Sequence, residues 1–232
     1  MRKGDLKKQE IIRTAESLFC SYGYEATSVQ TILDKLKTSK GSFYHHFVSK
    51  EALLEEICRQ RAKGVSSKTD IILLSGSSPE KKLNMLFSEM IPFSGEKLSF
   101  LMMILPVFLL PEGSSLRIFY RKELTDLYMA PVESVLREGT AAYSFSCPDE
   151  KFFADISLQM VNSLWLKICD IIVTHEKYGE NTDTSELLAI ITQYRLALER
   201  LLCAPYGSME LIRLTELIAL TEQIHLHWIQ NA

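Results

Sequence analysis

Apolar side chains recur at intervals of three and four along most of this chain, and few stretches favour a strand. A repeat near 3.6 residues gathers such side chains on one face of a helix. Helices striped in this way must bury the stripe against one another, so the expected fold class is all-α. Apolar residues form 47% of the 232, which is enough for a sizeable core.

The first stripe is Ile11, Ile12, Ala15, Leu18, Phe19 and Tyr22. Gly23 is expected to end that helix in a left-handed cap. Thr27-Ser28-Val29-Gln30 reads as a capping box, a hydroxyl followed three residues later by Gln. It opens a second helix with Val29, Ile32, Leu33 and Leu36 facing inward, ending near Lys37. Ser39 then caps a very short third helix, Lys40 to His46. Ser49 caps a fourth, which starts at Lys50 and is expected to reach the sixties or early seventies. Ser75-Gly76-Ser77-Ser78-Pro79-Glu80 is the clearest break, with Ser78 as N-cap and Pro79 at the first helical position. Further helices are expected at 79–91, 95–110, 113–143 with a kink at Pro131, 148–177, 183–203 and 207–230. Asp183-Thr184-Ser185-Glu186 opens the fifth of these as another capping box. The expected division is a helix-turn-helix head over 1–63 and a larger helical domain over 64–232.

Net charge is −3, which taken alone argues against a nucleic-acid binder. Its distribution reverses that reading. Residues 1–63 hold twelve Lys/Arg against eight Asp/Glu, and the remainder holds fourteen against twenty-one. A basic head on an acidic body confines phosphate affinity to the head. Cys20, Cys58, Cys147, Cys169 and Cys203 are scattered without CxxC spacing, as expected of reduced, mostly buried thiols in the cytoplasm. The N-terminus is charged and shows no signal-peptide pattern. The longest uncharged run, Leu98–Pro111, has fourteen residues, against about 20 for a membrane-spanning helix. No membrane partner, cofactor or metal is expected.

The short third helix carries the chemistry. Phe43 and Phe47 give it a core face. Its other face offers Thr38, Ser39, Lys40, Ser42, Tyr44 and His45, with no carboxylate. Hydroxyls, a cation and an imidazole suit phosphate oxygens and base edges, where an acid would be repelled. Gly41 permits close backbone approach, and Lys50 adds a cation beside the same surface. A polar surface turn between core helices accounts for any one of these residues, but poorly for the whole set in this order.

Residues 7–57 resemble the DNA-binding domain of the tetracycline-repressor (TetR) family. The resemblance is carried by Ile11-Ile12-Arg13-Thr14-Ala15-Glu16-Ser17-Leu18-Phe19, Tyr22-Gly23-Tyr24-Glu25-Ala26-Thr27-Ser28-Val29, Ile32 and Leu36. It continues through Thr38-Ser39-Lys40-Gly41-Ser42-Phe43-Tyr44-His45-His46-Phe47 and Ser49-Lys50-Glu51-Ala52-Leu53-Leu54. Leu36-Lys37 departs from it, standing where the family often has a small residue followed by an aliphatic one. The resemblance implies that Thr27 and Ser28 hold phosphate, and that Thr38, Ser39, Lys40, Gly41, Ser42, Tyr44 and His45 meet DNA. It also implies that Lys50 clamps a phosphate, while Phe43, Phe47 and His46 are structural. Arg2, Lys3, Lys7 and Lys8 form either an N-terminal arm on the DNA backbone or a solvated charge run. The implied assembly is a homodimer on a near-palindromic operator with half-sites about 34–36 Å apart, or a little more.

The resemblance fades after about residue 63. Wide apolar stripes near 148–177 and 183–203 fit a dimer surface, with Phe153, Met160, Leu164, Ile168, Ile191, Tyr194 and Leu198 as candidates, by analogy with four-helix bundles. They fit core helices of one subunit too. Met85, Met90, Phe100, Met103 and Phe108 mark either plain core or a pocket for a small, largely apolar effector. The segment 208–230 braces the bundle or covers the ligand domain. No metalloprotease, hydrolase, P-loop or dinucleotide motif is present, so no enzyme is expected. His225 and His227 point to different faces of a helix, a poor metal pair. The expected function is a transcription regulator, a repressor released by its effector. The alternatives are a nucleoid or adaptor protein of the same fold without an inducer, and an enzyme in the larger domain.

Overall fold

The computed structural model describes residues 3–63, 66–93, 97–179 and 182–231. The helices are α1 (Lys3–Tyr22), α2 (Val29–Leu36), α3 (Lys40–Tyr44), α4 (Lys50–Lys63), α5 (Ser66–Leu74), α6 (Pro79–Met90), α7 (Lys97–Leu109), α8 (Ser114–Ala141), α9 (Glu150–Tyr178), α10 (Thr184–Leu202) and α11 (Leu214–Asn231). Among the described residues there is no strand, and the all-α expectation holds.

The chain divides into two compact units. The first joins Met1–Gly64 with Ser99–Tyr120; the second joins Val65–Leu98 with Arg121–Ala232. In the first unit α1 packs on α2 and α4, and α2 on α3. Ile11, Ala15, Phe19, Ile32, Phe43 and Leu53 fill the space between them. Two ion pairs, Lys8–Glu56 and Arg61–Glu16, also tie α1 to α4. The α7 and early α8 residues of this unit form an aromatic cluster, with Phe100 and Phe108 at 5.9 and 5.6 Å from the buried ring of Tyr120. A 3-10 turn, Pro111–Gly113, reverses the chain between them. A Cβ on Gly113 would lie 1.8 Å from the Val107 carbonyl oxygen, so only glycine fits there.

In the second unit α9 packs on α10 and α11, and α5 on α6. By length and composition α9 could cross a membrane, yet Leu158, Leu164, Trp165, Ile168 and Ile172 on it are wholly buried inside the unit. A polar knot joins α9 to α8. The buried Asn162 amide donates to Thr125 Oγ1 at 3.1 Å, and its carbonyl oxygen accepts from Trp165 Nε1 at 3.3 Å. Near the end of α8, a Cβ on Gly139 would meet the Phe145 ring at 2.1 Å. The Gly139 carbonyl also accepts from the amides of Ser144 and Phe145 at 2.8 and 3.2 Å.

Most helix boundaries fall within three residues of expectation. One does not. The fourth helix reaches Lys63, within the expected range, and α5 follows residues 64–65, which lie outside the described set. The last helix begins at Leu214 rather than 207. Met209, Leu211 and Ile212 have helical spacing, yet they are buried in an irregular connector. Side chains elsewhere hold it there. Glu199, itself buried, accepts from the amides of Gly207 and Met209 at 3.0 and 3.2 Å. Asn84 donates to the Ser208 carbonyl at 2.7 Å and accepts from the Glu210 amide at 2.9 Å. Tertiary hydrogen bonds to this backbone replace the helical ones it would otherwise make.

Candidate nucleic-acid interface

The turn between α2 and α3 sets the geometry. Ser28 caps α2, accepting from the Thr31 amide at 3.0 Å. Lys37 closes that helix in the left-handed region at φ 48°, ψ 47°. Its amide donates to Asp34 and that of Thr38 to Leu33, at 3.2 and 3.1 Å. This is the double hydrogen bond of a left-handed helix stop. Ser39 then caps α3, accepting from the Ser42 amide at 3.3 Å, and Ser49 caps α4 through the Ala52 amide at 3.1 Å. Phe43 is fully buried and Phe47 nearly so, which fixes which side of α3 faces out.

That outer side brings together most of the expected DNA-facing residues. Ser28, Ser39, Lys40, Gly41, Tyr44 and His45 are exposed, while Thr38, Ser42 and Lys50 are partly exposed. Tyr44 leans edge-on against Phe43 at 5.3 Å, and His45 against His46 at 4.9 Å. No acidic residue occurs between Asp34 and Glu51, whereas lysines stand at 35, 37, 40 and 50. His46 titrates below the ordinary histidine value because burial, then His45 and Lys8, disfavour its cation. Sequence reasoning passed over Val48, which is 84% exposed beside this surface; its signal is an apolar residue between Phe47 and a helix cap.

Thr27 is placed differently from expectation. It is buried, and its hydroxyl donates to the Gly23 carbonyl at 2.8 Å, closing the turn between α1 and α2. The capping box of Thr27 and Gln30 does not form either. Ser28 is the cap, and Gln30 donates instead to Asp34 at 2.7 Å. The reason is register: Ser28 stands next to the first helical residue, so its hydroxyl alone reaches the free amides.

Lys50 has a partner that sequence reasoning did not name. Its ammonium donates to the Tyr24 carbonyl at 3.0 Å and lies 4.0 Å from the centre of the Tyr24 ring. The Tyr24 hydroxyl donates to Glu51 at 3.3 Å, and burial followed by Glu51 raises its pKa. Tyr24 therefore ties the α1–α2 turn to the start of α4, where two of the ammonium's three protons stay available. Of the N-terminal arm, Lys7 pairs with Glu10 and Lys8 with Glu56, at 2.8 and 3.1 Å. Arg2 and the Lys3 side chain lie outside the described residues.

In the second unit Phe153, Met160 and Tyr194 are partly exposed and Ile191 is buried. Tyr194 also meets Ser163 across α9 and α10 at 3.1 Å. Leu164, Ile168 and Leu198, however, have no exposed surface at all and belong to the core of the single chain. They cannot touch a partner without repacking. The effector candidates are divided as well. Phe100, Met103 and Phe108 are buried in the first unit, whereas Met90 is buried in the second. Met85, also in the second, lines a surface cavity of about 300 Å³ with Ile71 and Ile72. His225 pairs with Glu176 at 2.9 Å, and the His227 side chain lies outside the described set.

Comparison with known proteins agrees with this geometry. Residues 11–57 match the family described as bacterial regulatory proteins, tetR family. Over 193 residues, 81% of this chain and 62% of the other, the sequence is 28% identical to an uncharacterized HTH-type transcriptional regulator, YerO, of Bacillus subtilis. Over 81 residues it is 36% identical to the HTH-type transcriptional repressor KstR2 of Mycolicibacterium smegmatis, covering 35% of this chain and 40% of the other. The chain thus spans less than two thirds of the length of either relative. A TetR-family transcriptional regulator from Pectobacterium atrosepticum has the same fold, with TM-score 0.65 and 14% identity over 88% of this chain and 99% of that one. Residues 11–57 thus match the tetR family of bacterial regulatory proteins, and the all-helical fold of the chain is that of a solved TetR-family regulator.

Proposed function

We propose that this protein is a cytoplasmic transcription regulator that binds a near-palindromic operator as a homodimer, and that it is a repressor released by a small, largely apolar effector. The observation that carries the proposal is the acid-free outer side of α3. It presents Ser39, Lys40, Tyr44 and His45 at a capped helix start, with Lys50 beside them. A recognition helix of five residues reads few bases alone. Two copies about 34–36 Å apart would enter successive major grooves of one DNA face. The partly exposed apolar side chains Phe153, Ile156 and Met160 of α9, with Ile190 and Tyr194 of α10, supply the dimer surface. The cavity lined by Ile71, Ile72 and Met85, together with polar and charged residues, is the place for the effector. Release requires that effector and operator prefer different conformations of the protein.

The test is selection of bound duplexes from a random library, followed by titration of the winner against shuffled DNA at several salt concentrations. A near-palindromic winner, bound far more tightly than shuffled DNA, is the expected result. Binding without enrichment, with only a steep salt dependence, would replace this reading with that of a nucleoid or adaptor protein.

A further inference from the structure

Behind Tyr24 the first unit contains a second cavity, of about 200 Å³. Its lining combines three acidic residues, Glu25, Glu51 and Glu55, with the apolar Val107, Leu110 and Leu116. Neither Glu25 nor Glu55 pairs with a described lysine or arginine. The Glu51 carboxyl is held below its usual range, first by its own backbone amide and then by Ser49, so it is ionised at neutral pH. Lys50, whose charge also acts on Glu51, is turned onto the carbonyl and ring of Tyr24.

This lining selects among occupants. A neutral apolar molecule would strip water from carboxylates without compensating them, and an anion would be repelled. A bare metal ion would leave the apolar side unused. We propose that the cavity is a receptor site for a small amphipathic organic cation of the arylalkyl-ammonium class, its charge among the three glutamates and its ring against Val107, Leu110 and Leu116. The site is wired to the DNA-facing surface through Tyr24, whose hydroxyl bonds Glu51 and whose carbonyl holds Lys50. A cation there competes for Glu51 and repels the Lys50 ammonium, so occupancy weakens DNA binding. The wiring, though not the site, rests on the DNA-binding function proposed above.

The test uses the full-length protein and two molecules of one skeleton, phenethylammonium and 2-phenylethanol, titrated by calorimetry without DNA. One saturable site per chain is expected, with the cation bound at least about tenfold more tightly than the alcohol. The double variant Glu25→Gln/Glu55→Gln should lose at least about tenfold of cation affinity while keeping the wild-type circular dichroism. No saturable binding, equal binding of the alcohol, or an undiminished double variant would each overturn the site. Duplex DNA is then titrated at low salt with and without saturating phenethylammonium. A several-fold loss of affinity is expected, and an unchanged affinity overturns the wiring. Failure to bind any DNA would refute the DNA-binding function instead, leaving the calorimetry to judge the site.

Discussion

Replacing Lys37 by glycine should stabilise the head, although it deletes a charged side chain. Lys37 holds the left-handed stop of α2 at φ 48°, and its side chain is exposed, so no packing is sacrificed. An L-residue in this conformation costs about 1–2 kcal/mol. Glycine escapes that cost but brings extra freedom to the unfolded chain, about 0.5–1 kcal/mol. The balance is a gain of about 0.5–1 kcal/mol for Lys37→Gly. If the head melts as a unit, the midpoint should rise by about 2–8 °C, given about 4–8 °C per kcal/mol in a domain of this size. Lys37→Ala keeps the strain and should show no gain, and Lys37→Val should be worse than either. Melting followed by hydrogen exchange of the Thr38 amide, which donates to Leu33, reads this turn directly. Both Gly and Ala remove the same charge, so a loss of DNA affinity shared by the two reports the cation and not the backbone. A glycine variant no more stable than the alanine variant would refute the argument from strain.

Lys50→Ala should weaken binding to all duplexes about equally and lower the salt slope by about 1 for each phosphate left without its cation; a sequence-selective effect would show that Lys50 reads bases. Tyr44→Ala and His45→Ala should each cost about 1–3 kcal/mol on the selected operator, measured by titration, and full affinity in both would remove α3 from recognition. Glu199→Ala should destabilise the second unit by about 3–5 kcal/mol in urea unfolding, because Arg195 and the amides of Gly207 and Met209 lose a buried charged acceptor. Glu199→Gln, which keeps one acceptor oxygen, should cost less. The low pKa of His46 means that the unfolded chain takes up this proton first. Stability therefore falls as pH drops below about 6.5, the ordinary histidine value, and should do so less in His46→Gln; identical pH profiles would contradict the assignment.

The parts of this molecule legible in its sequence are those fixed by near neighbours. Gly23, Ser39, Ser49 and Ser78 end or begin helices through bonds to residues three or four positions away, and all four stand where the pattern puts them. What the sequence does not reveal is which side of a wide stripe meets which partner. Leu164 and Met160 sit four residues apart on α9, yet the first is wholly buried and the second partly exposed. Periodicity assigns both to one apolar band and cannot divide core from surface. Likewise Thr27 looks like a phosphate-binding hydroxyl until the Gly23 carbonyl is found beneath it. Tyr24, the hinge of the site, is one aromatic among many until Lys50 and Glu51 fold onto it. The connector before α11 carries helical spacing, but Glu199 and Asn84 overrule it from elsewhere in the chain.

The close approach of Gly139 and Phe145 bears on the order in which this protein's descendants can change. With the ring where a Cβ would stand, any side chain at 139 collides with its neighbour as long as position 145 stays aromatic. If position 145 shrinks first, the ring leaves a hole and position 139 becomes open to alanine or serine, which then partly refills it. Two routes lead to the same pair of residues, but only one avoids the collision, and once 139 has gained a side chain the return of an aromatic at 145 is barred. A lineage that has crossed this step should therefore show both positions altered together, with the glycine never the first to go.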